Sequence, residues 1–411
     1  MVSAEHKGGI KSRKGETTLK NFSNFNDYSK KDDLHFESKV VHGALGNDPM
    51  TGAVSYPIYQ TATFRHVALG ESTGFDYSRL QNPTRQELER TMAILEEGIE
   101  GFALSSGQAA NMALFTILNP GDHVILSDDI YGGTFRIMNE IFGKYGVKYD
   151  YVDMSDLELV KSKITETTKM FFIETPTNPM MKVADIAAIS KIAKSIGAYT
   201  VVDNTFLTPY FQKPLTLGAD AVVHSGTKYL GGHNDTIAGL VVVNTPELAE
   251  HMRLQLKSHG NGLAALDSWL ILRGIKTLAL RMEKHNENAI KVANFLRNHP
   301  KVKKVYYVGF EDHKDIEVTK RQTSGFGGMI SFHVDSFETA KNVLANVDMI
   351  MFAESLGGTE TLITYPRTQT HESIPEETRQ KLGITETFLR LSVGIENADD
   401  IIRDLDQALN S

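Results

Sequence analysis

The sequence predicts an α/β fold built on a mostly parallel sheet, with a smaller α/β domain after it. From Gln86 to about Ile275, short apolar runs alternate with helix-length segments, the order that repeated strand–helix units leave in a chain. The runs are continuously apolar rather than alternating, as in Val124-Ile125-Leu126, which is what strands covered on both faces require. At 411 residues the chain is too long for one small core, so two domains are expected.

Residues 1–35 are polar and dotted with lysine, from Lys7 to Lys31, with no apolar stretch suited to a secretory signal. They are expected to form a flexible arm. Glu5, Glu16, Asp27, Asp32 and Asp33 argue against an organelle presequence. Residues 36–84 lack a clear period; Pro57 to Phe64 reads as extended, and a helix is expected to begin near Asn82-Pro83. Residues 85–275 form the expected large domain. Its strands are placed at Phe102–Leu104, Val124–Leu126, Tyr149–Val152, Met170–Ile173, Tyr199–Val202, Ala221–Val223 and Gly239–Val243, with helices at Gly107–Leu118, Gly132–Tyr145 and Ala184–Ile196. Leu266 to Phe295 reads as long helical sequence bridging to the small domain, residues 276–411. There strands are expected at Lys304–Val308, Gly328–Phe332 and Leu389–Val393, and helices at Phe337–Leu344 and Asp399–Leu409.

Composition narrows the function. A net charge of -8 and a pI near 6.0 argue against a nucleic-acid surface. No apolar run approaches a membrane span. The absence of cysteine excludes disulfides, a thiol nucleophile and cysteine metal sites, and a cytoplasmic enzyme is expected. No metal site is expected: His224, His233 and His371 lack ligand spacing with any carboxylate cluster and read as packed, hydrogen-bonded histidines.

One segment carries chemistry most directly. Ala221-Val-Val-His-Ser-Gly-Thr-Lys228 is a buried strand that stops at small hydroxylic residues and then presents a lysine. Desolvation pushes such an amine toward its neutral form, and a neutral amine condenses with an aldehyde, as pyridoxal phosphate (PLP) enzymes require. Ser225 and Thr227 add hydroxyls suited to phosphate oxygens. Alone, Lys228 reads more readily as an ordinary loop lysine, but three other strand ends complete the set. Tyr199 to Val202 leads into Asp203, an acid suited to a pyridine nitrogen. Phe102 to Leu104 leads through Ser105, Ser106 and Gly107 into a helix beginning near Gln108, whose free N–H groups form an anion site. Val124 to Leu126 leads to Tyr131, an aromatic ring placed to stack on the cofactor.

The blocks Tyr77-Ser-Arg-Leu-Gln-Asn-Pro-Thr84, Ser105-Ser-Gly-Gln-Ala-Ala110, Tyr131-Gly-Gly-Thr134, Glu174-Thr-Pro-Thr-Asn-Pro179, Val202-Asp-Asn-Thr205 and Ser225-Gly-Thr-Lys-Tyr-Leu-Gly-Gly-His233 follow in order. Leu272-Arg-Gly-Ile-Lys-Thr277, Ser355-Leu-Gly-Gly358 and Leu389-Arg-Leu-Ser-Val-Gly-Ile-Glu396 complete them. With these blocks the chain resembles the Cys/Met-metabolism PLP-dependent enzymes: cystathionine γ-synthases, γ-lyases and β-lyases, methionine γ-lyases and O-acetylhomoserine sulfhydrylases. The resemblance implies a PLP fold type I domain with a mostly parallel seven-stranded sheet, PLP as cofactor, small amino-acid substrates and a homotetramer. It implies that residues 36–84 contact a neighbouring subunit, where Tyr77 and Arg79 hold the cofactor phosphate; an arginine fork suits two phosphate oxygens. By the same resemblance Arg390 and Asn178 hold the substrate α-carboxylate, with Ser355 and Thr370 behind them. Arg136 would meet a distal carboxylate, and Glu354 matches an acid common in γ-lyases.

These features lead to an expectation of action at the Cγ–S bond of cystathionine, as γ-lyase, as γ-synthase from O-acyl-homoserine and cysteine, or both. Cystathionine β-lyase, methionine γ-lyase, O-acetylhomoserine sulfhydrylase and, more remotely, a catalytically silent binding homologue are the alternatives. Methionine γ-lyases typically carry cysteine after the tyrosine where Gly132 stands. Gln108 replaces a usual methionine, Asn234 a usual serine and Arg367 a usual alanine, and Ala264 to Asp267 lacks a common Ser-Pro.

Overall fold

Seven strands form where the apolar runs were expected: β1 (Glu100–Leu104), β2 (His123–Ser127), β3 (Lys148–Val152), β4 (Thr168–Glu174), β5 (Tyr199–Asp203), β6 (Ala221–Ser225) and β7 (Gly239–Val243). The computed structural model describes residues 34–411 apart from residues 46, 49 and 373, so the arm expected over residues 1–35 lies almost wholly outside the described residues. The strands make one sheet in the order β1-β7-β6-β5-β4-β2-β3. β7 runs antiparallel to both neighbours, and every other pairing is parallel.

Both faces of this sheet are covered, which is why its strands read as unbroken apolar runs. Val202 and Val222 belong to the core on one face, and their chain neighbours Val201 and Val223 to the core on the other. The parallel arrangement brings the ends of β1, β2, β4, β5 and β6 to one edge, where ligands bind in open α/β sheets. β7 approaches that edge closely: a Cβ at Gly239 would lie 1.9 Å from the Ser106 carbonyl oxygen.

The expected helices are present with shifted limits. Asn82 caps Pro83–Glu96, accepting from Thr84 and Arg85 N–H groups. Gly107–Phe115 follows β1, and Ile186–Ser195 follows β4. The segment from Gly132 to Tyr145 is helical throughout, but it widens to π geometry over Met138–Phe142 and tightens to 3-10 geometry at the end. Pro246–His259 was not anticipated, although Thr245 caps it and Pro246 opens it.

The long helical segment is two helices, Ala265–Ile275 and Leu278–Asn298, rather than one. A Cβ at Gly274 would lie 2.2 Å from the Gly231 carbonyl oxygen, so the first helix packs directly on the loop after Lys228. Arg281 of the second helix donates to the Gly274 carbonyl at 2.7 Å and to the Tyr229 carbonyl at 2.6 Å. The break at Lys276-Thr277 lets both helices reach that loop.

A second sheet contains β8 (Val302–Tyr306), β9 (Met329–Val334), β10 (Met351–Phe352), β11 (Leu362–Thr364) and β12 (Phe388–Ser392), in the order β10-β11-β12-β9-β8. Only β10–β11 is parallel. β10 and β11 were not anticipated because two or three residues carry no readable period. Helices Phe337–Asn346 and Ala398–Asn410 match expectation, whereas Ile316–Gln322 and Glu376–Leu382 are additional. Among the described residues, no helix is long and apolar enough to cross a membrane.

Candidate active site

A cavity of about 260 Å³ opens at the shared strand edge and is faced from the other side by the second sheet and the loops between its strands. Its walls include Lys228, Asp203, Ser106, Gly107, Gln108, Tyr131, Ser225 and Thr227 from the large sheet, and Ser355, Glu354, Thr370 and Arg390 from beyond it, with Asn178 between them. Tyr77, Arg79 and Arg136 do not line it. Arg79 donates to the Lys257 carbonyl and stands over the Tyr77 ring, 5.7 Å from its centroid. Arg136 is exposed on the helix that follows Tyr131.

Lys228 sits three residues beyond β6, in a turn where Gly231 N–H reaches the Gly226 carbonyl at 2.9 Å and Gly232 N–H the Lys228 carbonyl at 2.7 Å. Gly232 has φ +72°, a left-handed conformation that suits glycine. The Lys228 amine donates to Ser355 Oγ at 2.9 Å. Burial, with the Arg390 charge adding to it, pulls this amine down to about 8, so a substantial neutral fraction exists near neutral pH. Ser355 itself is held at φ +90°, a costly backbone for a non-glycine residue and one that functional sites retain.

Asp203 ends β5. Its Oδ1 accepts from the Thr205 N–H at 3.0 Å and from its hydroxyl at 2.5 Å. Burial raises the Asp203 carboxyl, and the Thr205 bonds oppose that rise. A cationic ring nitrogen against this group would offset the desolvation. Glu174, at the end of β4, stands in register with Asp203 and also faces the cavity. Burial and then the nearby Asp203 charge push Glu174 well above the usual carboxylate range.

The anion cradle is built at the start of helix Gly107–Phe115. Ser106 caps it, its Oγ accepting from Ala109 N–H at 3.1 Å, while the first N–H groups of a helix have no acceptor within it. A Cβ at Gly107 would come within 3.1 Å of Ser225 Cβ, so glycine lets the helix start meet the β6 end. Thr227 Oγ1 accepts from Ala238 N–H at 3.0 Å. A buried amine, an acid, a helix start with flanking hydroxyls and an aromatic ring fit the aldehyde, pyridine nitrogen, phosphate and ring of PLP.

On the opposite wall Arg390 is 1% exposed. It donates to Asn178 Oδ1 at 2.9 Å, to the Ser355 carbonyl at 2.8 Å and to Thr364 Oγ1 at 3.1 Å. Its Nε is buried without a partner, an orphan donor that an incoming carboxylate would satisfy. Burial lowers its guanidinium to about 10, still charged near neutrality. Burial raises the Tyr131 phenol, so it keeps its proton. The three histidines are hydrogen-bonded: His224 to Glu96 at 2.6 Å, His233 to the Gly231 carbonyl at 2.7 Å, and His371 to the Asn178 carbonyl at 3.0 Å. Burial holds His371 down to about 3, hence neutral. Two flagged departures point elsewhere: Arg367 pairs with Glu376 at 2.9 Å, and Asn234 donates to Glu360 at 2.8 Å.

Sequence reasoning overlooked Glu174 and Thr205 as site residues. Both stood inside blocks already singled out, and Glu174, like Asp203, is a carboxylate ending a buried apolar run.

The family model for Cys/Met metabolism PLP-dependent enzymes matches residues 37–410. The chain is 50% identical over 373 residues to the cystathionine β-lyase of Lactococcus lactis subsp. cremoris, covering 91% of this chain and 98% of that protein. It is also 50% identical over 372 residues to the cystathionine γ-lyase of Bacillus subtilis, covering 90% and 98%. The crystal structure of cystathionine γ-lyase from Lactobacillus plantarum complexed with L-serine superposes with a TM-score of 0.90 at 44% identity, covering 92% of this chain and 99% of that one.

Proposed function

This chain belongs to the Cys/Met metabolism PLP-dependent enzyme family, and on that footing we propose that it acts on the Cγ–S bond of cystathionine. It is a PLP-dependent enzyme of C–S lyase or synthase chemistry. The proposed reaction is γ-cleavage, the γ-synthase reaction from O-acyl-homoserine and cysteine, or both. The observation that carries the reading is one cavity holding the Lys228 amine, the Arg390 guanidinium and the Glu354 carboxylate together. Cystathionine carries an amino-acid group at each end. Arg390 and Asn178 take the α-carboxylate of one, and Glu354 meets the ammonium of the other. Arg136 is the arginine this reading assigns to the distal carboxylate, although it is exposed on the helix after Tyr131 and does not line the cavity.

Pyridoxal phosphate, when bound, supplies an electron sink for charge developing at Cα. Asp203 would hold the ring nitrogen, and Ser106, Gly107, Gln108, Ser225 and Thr227 would hold the phosphate. The Lys228 amine would take the Cα proton and pass it to the former aldehyde carbon, which leaves the amine neutral again to remove the Cβ proton whose loss expels sulfur from Cγ. An amine brought to about 8 by burial exchanges protons readily near working pH. The Tyr131 phenol, which keeps its proton, donates it to the departing sulfur.

The same reading divides the chain near residue 275 and places Tyr77 and Arg79 in a neighbouring subunit's site within a cytoplasmic homotetramer. A second reading, β-cleavage, is favoured by the 50% identity to a cystathionine β-lyase. Product analysis with cystathionine decides between them. Cysteine, 2-oxobutyrate and ammonia are expected; homocysteine, pyruvate and ammonia would replace the proposal with β-cleavage. O-Acetylhomoserine with cysteine tests the synthase direction.

A further inference from the structure

Glu174 has no task in the chemistry above, yet both of its carboxyl oxygens are engaged at the cavity wall. Its backbone is pinned by an N–H bond to Ser127 Oγ at 3.0 Å, at the end of β2. Its Oε2 accepts from the Tyr131 N–H at 2.9 Å, and its Oε1 from the Asn178 N–H at 2.8 Å. Asn178 Oδ1 in turn receives Arg390. One carboxylate therefore joins the loop that presents the phenol to the loop that orients the guanidinium.

We propose that Glu174 is a positioning residue, a two-oxygen bracket that sets Tyr131 and the Asn178–Arg390 pair at a fixed separation. A carboxylate suits this task because both oxygens are acceptors facing N–H donors. A glutamine would turn an NH₂ group toward one of those donors, releasing one loop while the other stays tied. A displacement on the order of 1 Å costs about a hundredfold in rate when it moves a reacting group.

The inference rests on the roles given to Tyr131 and Arg390 under the proposed function. The test uses holoenzyme, with rates expressed per bound cofactor. Glu174→Gln is expected to lower kcat by about 10- to 100-fold, to raise KM through the Asn178–Arg390 loop, and to change the circular dichroism of the bound cofactor as the Tyr131 ring shifts. Glu174→Asp, which keeps both acceptors, is expected to recover part of that loss, and it serves in place of the glutamine variant if the latter does not fold. In a Tyr131→Phe background, Glu174→Gln should cost far less in kcat, because coupled residues are not additive.

A Glu174→Gln holoenzyme with unchanged kcat, KM and cofactor dichroism, and only a lowered melting temperature, would overturn the bracket and leave a structural carboxylate. Full additivity with Tyr131→Phe would overturn it too. Failure of the underlying reading looks different: Tyr131→Phe and Arg390→Ala would themselves leave turnover intact.

Discussion

Lys228, Asp203, Ser106 and Tyr131 reach the cavity from the ends of strands of one sheet, whereas Arg390 and Ser355 reach it from a strand and a loop of another. The first group needs little beyond its own strand. Each residue lies within four positions of a buried strand end, and parallel pairing brings those ends to one edge. The second group is held by contacts across long chain separations. Arg390 depends on Asn178, 212 residues away, and on the carbonyl of Ser355, 35 residues away. The wall proposed for the cofactor is thus a property of a sheet, and the wall proposed for the substrate a property of two sheets docked together. Their meeting point is the 2.9 Å bond from Lys228 to Ser355.

This contrast can be broken most decisively at Lys228. Lys228→Ala should reduce cystathionine turnover by about a thousandfold or more, while a surviving rate near that of the native enzyme would remove the catalytic lysine from the account. Arg390→Ala sharpens the comparison from the other wall. It should lower kcat/KM by about a hundredfold, corresponding to about 3 kcal/mol for loss of a buried charged donor. The absorbance of bound cofactor should persist, because the cofactor wall does not require the guanidinium. Loss of cofactor in that variant would show that the two walls do not act separately.

The smallest effect is one of pH. With the Lys228 amine at about 8, its neutral, reactive fraction falls about tenfold per pH unit below that value. The rate of cofactor incorporation into apoenzyme should therefore rise with pH and level off above about 8, as followed by the growth of visible absorbance. A profile still climbing steeply toward pH 10 would show that burial and Arg390 leave this amine unperturbed.

Much of the large sheet was legible because its strands are covered on both faces, and continuous apolar runs such as Tyr199 to Val202 stand out. The residue after each run was readable for the same reason: a polar group appearing at the end of a buried strand has one direction left to point. Glu174 satisfied that criterion and was overlooked, since a carboxylate receiving two backbone N–H groups leaves no mark of that task in sequence. β10 and β11 escaped because they are too short to show a period, and the break between the helices Ala265–Ile275 and Leu278–Asn298 because it answers to contacts with the Lys228 loop.

By itself the sequence determined the α/β architecture, the seven strands and the residues suited to an aldehyde cofactor, because burial periodicity and strand-end chemistry are local. Only the tertiary structure decided that Arg390 is buried against Asn178 and Ser355, that Glu174 ties two loops together, and that Tyr77, Arg79 and Arg136 stand outside the cavity lined by this chain. Those outcomes depend on how two sheets dock, and the forces that fix the docking act between residues far apart along the chain.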